Sequence, residues 1–373
     1  MLPRCSGFAY FVLAAFFALS TPASQADQRS LGAAPTASLL VLDGLGKGAA
    51  PLDGPWQFHP GDDPAWAAPS FDDFFWRQIG ADKPWGLQGS PGYTGFAWYR
   101  RHITLSMAPG VSPDLALLIP AVDDVYEVYW NGVLVGRSGQ MPPHWVAYAG
   151  APAEIYGLGP ARSGVLAVRV WKMPLLSNDD GKAGGFESLP SIGSPDAIAA
   201  AKGNRDFQWL RRQQFSFALT SLYSLVALLG VFAWIRDRKE WVLFWTTMYT
   251  MSLVTEHFLG GLRLHASFAI LTFLTQIEIS IREMSLWFLL LWILQLQDNR
   301  KLVVLVRKAA LISVTASALD GVLLFLYPAV LSAVKLQLLD AILTPLMIFF
   351  EALPLLLVGY AFLRRKPLDS ARW

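Results

Sequence analysis

Cysteine is almost absent: Cys5 is the only one in 373 residues. It lies in what reads as a leader, so the processed protein would hold none. That excludes a disulfide framework and a thiolate metal site. Charge is scarce as well, at 16% of residues against 54% apolar. A soluble domain carries more charge, so the balance points to a chain partly embedded in a membrane. The net charge of +2 comes with no basic patch, which argues against a nucleic-acid partner. No Gly-x-Ser-x-Gly, His-Glu-x-x-His or phosphate-loop signature occurs.

At the N-terminus, Arg4 precedes an apolar run over 8–19, and Ser24-Gln25-Ala26 is a small-x-small cleavage signal. Residues 1–26 therefore read as a secretory signal peptide, because the run is too short to cross a bilayer. Cys5 precedes the apolar run, so it is not a lipoprotein cysteine. The chain then divides at 205–240. Twenty uncharged residues, 215–234, lie between Arg211-Arg212 and Arg236-Asp237-Arg238-Lys239. As a helix they span about 30 Å, the thickness of the hydrocarbon layer.

Before that division, residues 27–195 are rich in Gly and Pro and hold short β-prone runs. Expected strands cover 39–42, 56–58, 96–105, 115–119, 125–130, 133–135 and 165–171, with a last short one at 189–193. Asn131-Gly132 predicts a tight hairpin, since both turn positions tolerate positive φ. Leu166, Val168 and Val170 alternate with Ala167 and Arg169, giving one buried face and one wetter one. This pattern predicts a β-sandwich or jelly roll.

Several pieces match a known family in order: Phe71-Asp72-Asp73 with Trp76, Gly95-Phe96-Ala97-Trp98-Tyr99-Arg100-Arg101, Val128-Tyr129-Trp130-Asn131-Gly132-Val133-Leu134-Val135-Gly136, and Leu166-Ala167-Val168-Arg169-Val170. Over 52–171 the chain resembles the galactose-binding-like jelly roll of family 2 glycoside hydrolases. That resemblance implies a non-catalytic sugar-binding domain. The family's catalytic barrel needs roughly 250 residues, more than the exported part holds. The pairs Asp62-Asp63, Asp72-Asp73, Asp123-Asp124 and Asp179-Asp180 are adjacent in sequence. They suit turns better than two carboxyls set about 5 Å apart across a scissile bond. The expectation is no enzyme activity, no cofactor and no metal. Trp85, Tyr93, His144 and Trp145 sit in Pro/Gly-rich connections. Either they offer ring faces to a carbohydrate or other small ligand, or they plug the ends of the sandwich.

Residues 196–212 read as a juxtamembrane helix running into a transmembrane region, 213–363. Five spans are expected: 215–234, 241–259, one within 266–296, 309–327 and 338–363. The loops expected inside carry Arg236, Arg238, Lys239, Arg300, Lys301, Arg307, Lys308 and, in the tail 364–373, Arg364-Arg365-Lys366. Those outside carry only Arg263 and Lys335, as the positive-inside rule requires. Glu278, Arg282, Glu283, Asp320, Asp340 and Glu351 lie within spans. Glu278 and Arg282, four apart, could neutralise each other. Each such residue is either a polar switch or an interhelical packing contact.

The overall fold class is thus multi-domain, an all-β galactose-binding-like ectodomain followed by an all-α transmembrane bundle. That plan resembles the bacterial seven-transmembrane receptors with diverse intracellular signalling modules. It departs from them in having five spans and a short tail, so the output lies in a longer product or a separate partner. The resemblance implies a periplasmic sensor in the inner membrane with a cytoplasmic C-terminus. Its partners would be a small molecule or carbohydrate, the lipid bilayer, a cytoplasmic cyclase, kinase or phosphatase, and a second copy of the chain as a homodimer. The alternatives are a membrane-anchored carbohydrate-binding or scaffold protein without signalling, and a degraded hydrolase fragment.

Overall fold

The computed structural model describes residues 39–43, 48–106, 114–148, 150, 153–176, 179–264 and 266–363. The expected signal peptide with Cys5, and the tail 364–373, lie outside these residues.

The β-prone runs become β1 (Leu39–Asp43), β2 (Ala49–Pro51), β3 (Pro55–Pro60), β4 (Arg77–Gly80), β5 (Gly95–Ser106), β6 (Asp114–Ile119) and β7 (Val122–Asp123). They continue as β8 (Val125–Trp130), β9 (Val133–Ser138), β10 (Glu154–Pro160), β11 (Ser163–Lys172), β12 (Gly185–Phe186) and β13 (Ser191–Gly193). A seven-stranded sheet runs in the order β4-β3-β5-β11-β8-β9, with β1 added parallel to β5. A four-stranded sheet runs β10-β6-β13-β2, and β12 pairs with β7 in a two-stranded ribbon. Asn131 and Gly132 take φ of 51° and 82°, closing the predicted hairpin between β8 and β9.

One core lies between the two larger sheets. Trp56, Phe58, Tyr99, Leu166, Val168 and Val170 enter it from the larger sheet, and Leu115, Leu117, Ile119 and Ile192 from the smaller. The inward alternation on β11 is as expected, but its outer face is not wet throughout. Ala167 is buried with Trp98 beneath Trp66, Trp76 and Tyr129. Arg100 holds this cover in place. Its Nε donates to Asp73 Oδ2 at 2.7 Å, and its other nitrogens donate to the carbonyls of Trp66, Ala68 and Phe71. Both faces of the larger sheet are therefore covered, which explains the nearly unbroken buried run in β5.

Six helices follow: α1 (Pro195–Arg236), α2 (Trp241–Gly261), α3 (Phe268–Ile293), α4 (Arg300–Leu326), α5 (Ala333–Glu351) and α6 (Leu353–Leu363). Ser194 caps α1 by accepting from Ala197 N, with Pro195 at the first position and Asp196 in the first turn. The juxtamembrane segment and first expected span are one helix of 42 residues, about 63 Å long. The last expected span is broken at Ala352, because Pro354 has no N–H to give the carbonyl one turn back and its ring crowds that turn. Glu351 thus lies at a helix break within that span.

Three helices are long and apolar enough to cross a membrane: Pro195–Arg236, Arg300–Leu326 and Ala333–Leu363. This fits a membrane protein. Helices α2 and α3 are not among them, since α2 carries many Ser and Thr with Glu256 and His257, and α3 carries Glu278, Arg282 and Glu283. Close approach is built from small residues, as is usual between membrane helices. A Cβ on Gly321 of α4 would lie 2.8 Å from the Phe273 backbone of α3, and one on Gly230 of α1 would lie 2.4 Å from the Thr247 hydroxyl of α2.

Candidate functional site

The four loop aromatics do not form one site. Trp85 is fully buried in the main core, with its ring against Phe58, Tyr93 and Tyr99 and its Nε1 donating to Tyr93 O at 3.3 Å. Tyr93 is half-buried against it, and its hydroxyl accepts from Gly61 N. Trp145 belongs to a separate cluster, and His144 beside it is exposed.

That second cluster joins the β domain to the helices. Trp145 Nε1 donates to Tyr327 O at 2.8 Å, and its ring lies 5.6 Å from Trp171. Trp171 in turn stacks on Tyr327 with an interplanar angle of 16°. Ala269 and Leu324 complete a shared apolar seam. Phe268 N donates to Ala147 O at 2.7 Å, and Gln337 Nε2 to Leu175 O at 3.2 Å. The start of α1 is attached independently, with Ile198 buried against Ala116 and Leu118 on the outer face of the smaller sheet.

Beside the seam lies an open polar cavity of about 480 Å³, lined by Asp123, Asp124, Lys172, Asp179, Asp180, Glu187, Leu176 and Phe268 among others. Lys172 Nζ is 2.9 Å from Asp123, 3.5 Å from Asp124 and 3.8 Å from Asp179. Burial pushes the Asp124 carboxyl well above the usual carboxylate range, and Asp123 adds to the rise. Burial works against ionised Asp123 too, but its hydrogen bond with Asp124 and the Lys172 charge outweigh it and hold Asp123 low. Burial likewise opposes charge on Lys172, and Asp124 and Asp123 overcome it.

A second cavity, about 510 Å³, lies inside the bundle. Three helix faces converge on it: Thr272, Gln276 and Glu283 of α3, Ser313, Ser317 and Asp320 of α4, and Asp340, Thr344 and Glu351 of α5. Each set follows helical spacing, so each helix turns one polar stripe inward. Gln276 Nε2 donates to Asp320 Oδ2 at 3.0 Å, and Thr344 Oγ1 to Asp340 Oδ1 at 3.4 Å. Of the residues expected to act in the membrane, Asp320, Asp340 and Glu351 meet here, and Glu283 joins them. Glu278 and Arg282 stand apart. Arg282 is 3.8 Å from Glu278, as the four-residue spacing suggested, but its closer partner is Glu256 of α2.

The four acidic pairs have structural partners. Arg169 bridges Asp62 and Glu127, and Asp63 caps a 3-10 turn. Asp72, Asp179 and Asp180 each accept from a backbone N–H two residues on, and Asp73 holds Arg100 and His102.

No family description and no curated protein matches this chain. Solved structures similar to part of it include β-glucuronidases and a member of glycoside hydrolase family 2, the family that the sequence motifs resemble. A β-glucuronidase from Bacteroides uniformis is 23% identical, with 39% of this chain and 17% of that one covered and a TM-score of 0.32. A glycosyl hydrolase family 2 member from Bacteroides cellulosilyticus is 20% identical, with 39% and 20% covered and a TM-score of 0.31. A β-glucuronidase from Faecalibacterium prausnitzii is 16% identical, with 39% and 31% covered and a TM-score of 0.30. The chain spans less than a third of the length of these enzymes. A likeness of this size carries no activity over to it.

Proposed function

We propose that this chain is a non-enzymatic membrane sensor, whose exported β domain takes a small molecule and passes the event through the helices to a separate cytoplasmic output. The seam carries this reading. A domain that served only as an anchored binder could hang from α1 alone. Here Trp145, Trp171, Ala147 and Leu175 also grip the ends of α3, α4 and α5, so a shift in one half must repack the other. The two sheets are read as a galactose-binding-like jelly roll and carbohydrate as the ligand class, on the sequence motifs quoted above. The involvement of all four Asp pairs in turns and ion pairs supports a domain without a hydrolytic dyad.

The membrane orientation follows from charge. The β domain meets α1 at Ile198 and the helix ends at 267–268 and 327–337, while the basic segments 236–240 and 299–301 lie at the far ends of α1 and α4. Placing the basic ends in the cytoplasm puts the β domain outside and makes all five rods, with α5 and α6 as one, cross the bilayer.

The test is hydrogen exchange on the full chain in detergent, with and without glycans found to bind on an array. A sensor shows slower exchange both in the β domain and at 324–337, and Trp145→Ala removes only the second effect. Glycan binding that leaves 324–337 unchanged would instead make the chain an anchored binding protein.

A further inference from the structure

Helices α1 and α2 touch at one end and part at the other. They meet where Gly230 faces Thr247. Ser216 is fourteen positions back along α1, about 21 Å nearer the β domain, and there an open cavity of about 280 Å³ separates the two helices. Gly260 and Gly261 at the end of α2 make the room, since no described atom lies within 4 Å of a Cβ built on either. From α1, Trp209, Gln213 and Ser216 line the cavity at helical spacing, and Arg263 lines it from the turn after α2. Among the described residues these four side chains have no hydrogen-bond or ion-pair partner. Glu256 lines the cavity too, but its Oε2 is bound by Arg282, which also lies 3.8 Å from Glu278. His257 is held by its Nδ1, which donates to Leu253 O at 2.8 Å. The cavity sits at a change of surroundings. Arg211 and Arg212 lie on its β-domain side, while Phe215, Phe217 and Phe258 beside it are 75%, 50% and 64% exposed. A Trp at such a boundary is the usual mark of the headgroup level of a bilayer.

We propose that this cavity holds the phosphate of one phospholipid, drawn from the leaflet on the β-domain side. A phosphodiester carries one negative charge, and Arg263 is the cation here that no described acid pairs with. Its planar fork matches two phosphate oxygens, and the Trp209, Gln213 and Ser216 donors serve the others. Glu256 Oε1 is left to accept from a headgroup hydroxyl, such as those of a glycerol headgroup. The volume takes the headgroup and leaves the acyl chains outside, against the exposed phenylalanine rings. The lipid then wedges α1 and α2 apart at the end where they lack direct contact. This inference rests on the helices being embedded in a membrane and not on the sensor reading, because an anchored scaffold would hold the same lipid.

The experiment is native mass spectrometry of the full chain released from detergent micelles and titrated with phosphatidylglycerol, with diacylglycerol of the same chains as the control that lacks phosphate. One saturable phosphatidylglycerol adduct is expected, at least about fivefold more abundant than the diacylglycerol adduct. Arg263→Gln should lower it at least about fivefold, and Gly260→Leu, which fills the open space, should do the same by another route. Arg212→Gln removes an equal charge one turn away from the cavity and should leave the adduct unchanged. Helicity and gel-filtration volume check that each variant is folded, and either cavity variant suffices if the other is not. Equal adducts of the two lipids, or equal losses in Arg212→Gln and Arg263→Gln, would overturn the site. Displacement of the lipid by an equal concentration of glycerol 3-phosphate would overturn the lipid as its source. Full solubility without detergent would instead remove the membrane reading on which the site depends.

Discussion

The β domain and the helical bundle sort apolar and polar side chains differently. In the β domain Trp56, Phe58, Tyr99 and Phe186 fill the centre, and the ion pairs of Arg169 and Lys172 lie towards its edges. In the bundle many large apolar side chains point outward, Phe362 being 82% exposed, and the buried apolar clusters around Trp287 and Leu336 share the interior with polar groups. Ser280 donates to Ser317 across the α3–α4 contact, and Glu278 and Asp340 are buried. The two halves draw on the same residue types and sort them by what surrounds them. Water expels apolar surface from one half, while lipid gives no such push in the other and leaves close packing and polar contacts to hold helices together. A mutation should therefore cost most where its surroundings make burial valuable.

The largest expected effect is in the β core. Trp85→Ala removes a fully buried ring with three aromatic neighbours, and should cost about 3–5 kcal/mol. Thermal melting followed by near-ultraviolet circular dichroism measures it. A loss below about 1 kcal/mol would mean that the ring is not the core element described. Next comes Arg100→Met, which strands Asp73 in a pair whose side chains are 0% and 9% exposed and should cost about 3 kcal/mol. The same pair gives a pH signature. Burial pushes Asp73 up, but hydrogen bonds from His102 and Arg100 outweigh it and hold its carboxyl below the ordinary 3.8. Between those two values the unfolded chain binds more protons, so stability is full above about pH 3.8 and falls as pH drops through the folded value. In Arg100→Met the folded carboxyl moves up toward the unfolded value, so this acid loss should shrink, as equilibrium unfolding across pH 2–6 would reveal. The smallest effect is expected in the bundle. Ser317→Ala deletes a buried interhelical hydrogen bond, yet should cost only about 0.6 kcal/mol, because the partly unfolded helices find other partners in the membrane. Unfolding in mixed micelles tests it, and a loss near that of Trp85→Ala would erase the contrast between the two interiors.

Local signals made much of the fold legible. Asn131-Gly132 marked a hairpin, the helix expected from Asp196 begins one residue earlier at Pro195, and the long apolar runs became helices close to their expected positions. Strand β10 was not expected, since Gly157, Gly159 and Pro160 lower its strand propensity, and pairing with β6 through an irregular register overrides that. The aromatic loops were harder for a similar reason. Trp85 sits in a Pro/Gly-rich connection, where a ring could equally be rim or core. The deciding feature is distant in sequence: at Gly184, φ is +113° and a Cβ would lie 2.3 Å from Trp85 Nε1, so a bare backbone closes over the ring. The pair Gly184-Gly185 was the available signal, because adjacent glycines often mark a close backbone crossing. Inside the bundle, each polar stripe follows helical periodicity and was open to inspection. That three stripes meet depends on helix rotation and crossing, which the spacing along a single helix does not encode.

The unbroken length of α1 has one more consequence, which concerns phase. Its two buried residues, Ile198 beneath the smaller sheet and Ala227 in the bundle, are 29 positions apart. At 3.6 residues per turn that is about eight full turns, so both point in nearly the same direction around the axis. The helix acts as a keyed shaft, cut so that the angular setting of the β domain and that of the bundle agree. One residue added or removed between Arg205 and Arg212 would leave every contact surface intact while turning one key about 100° from its slot.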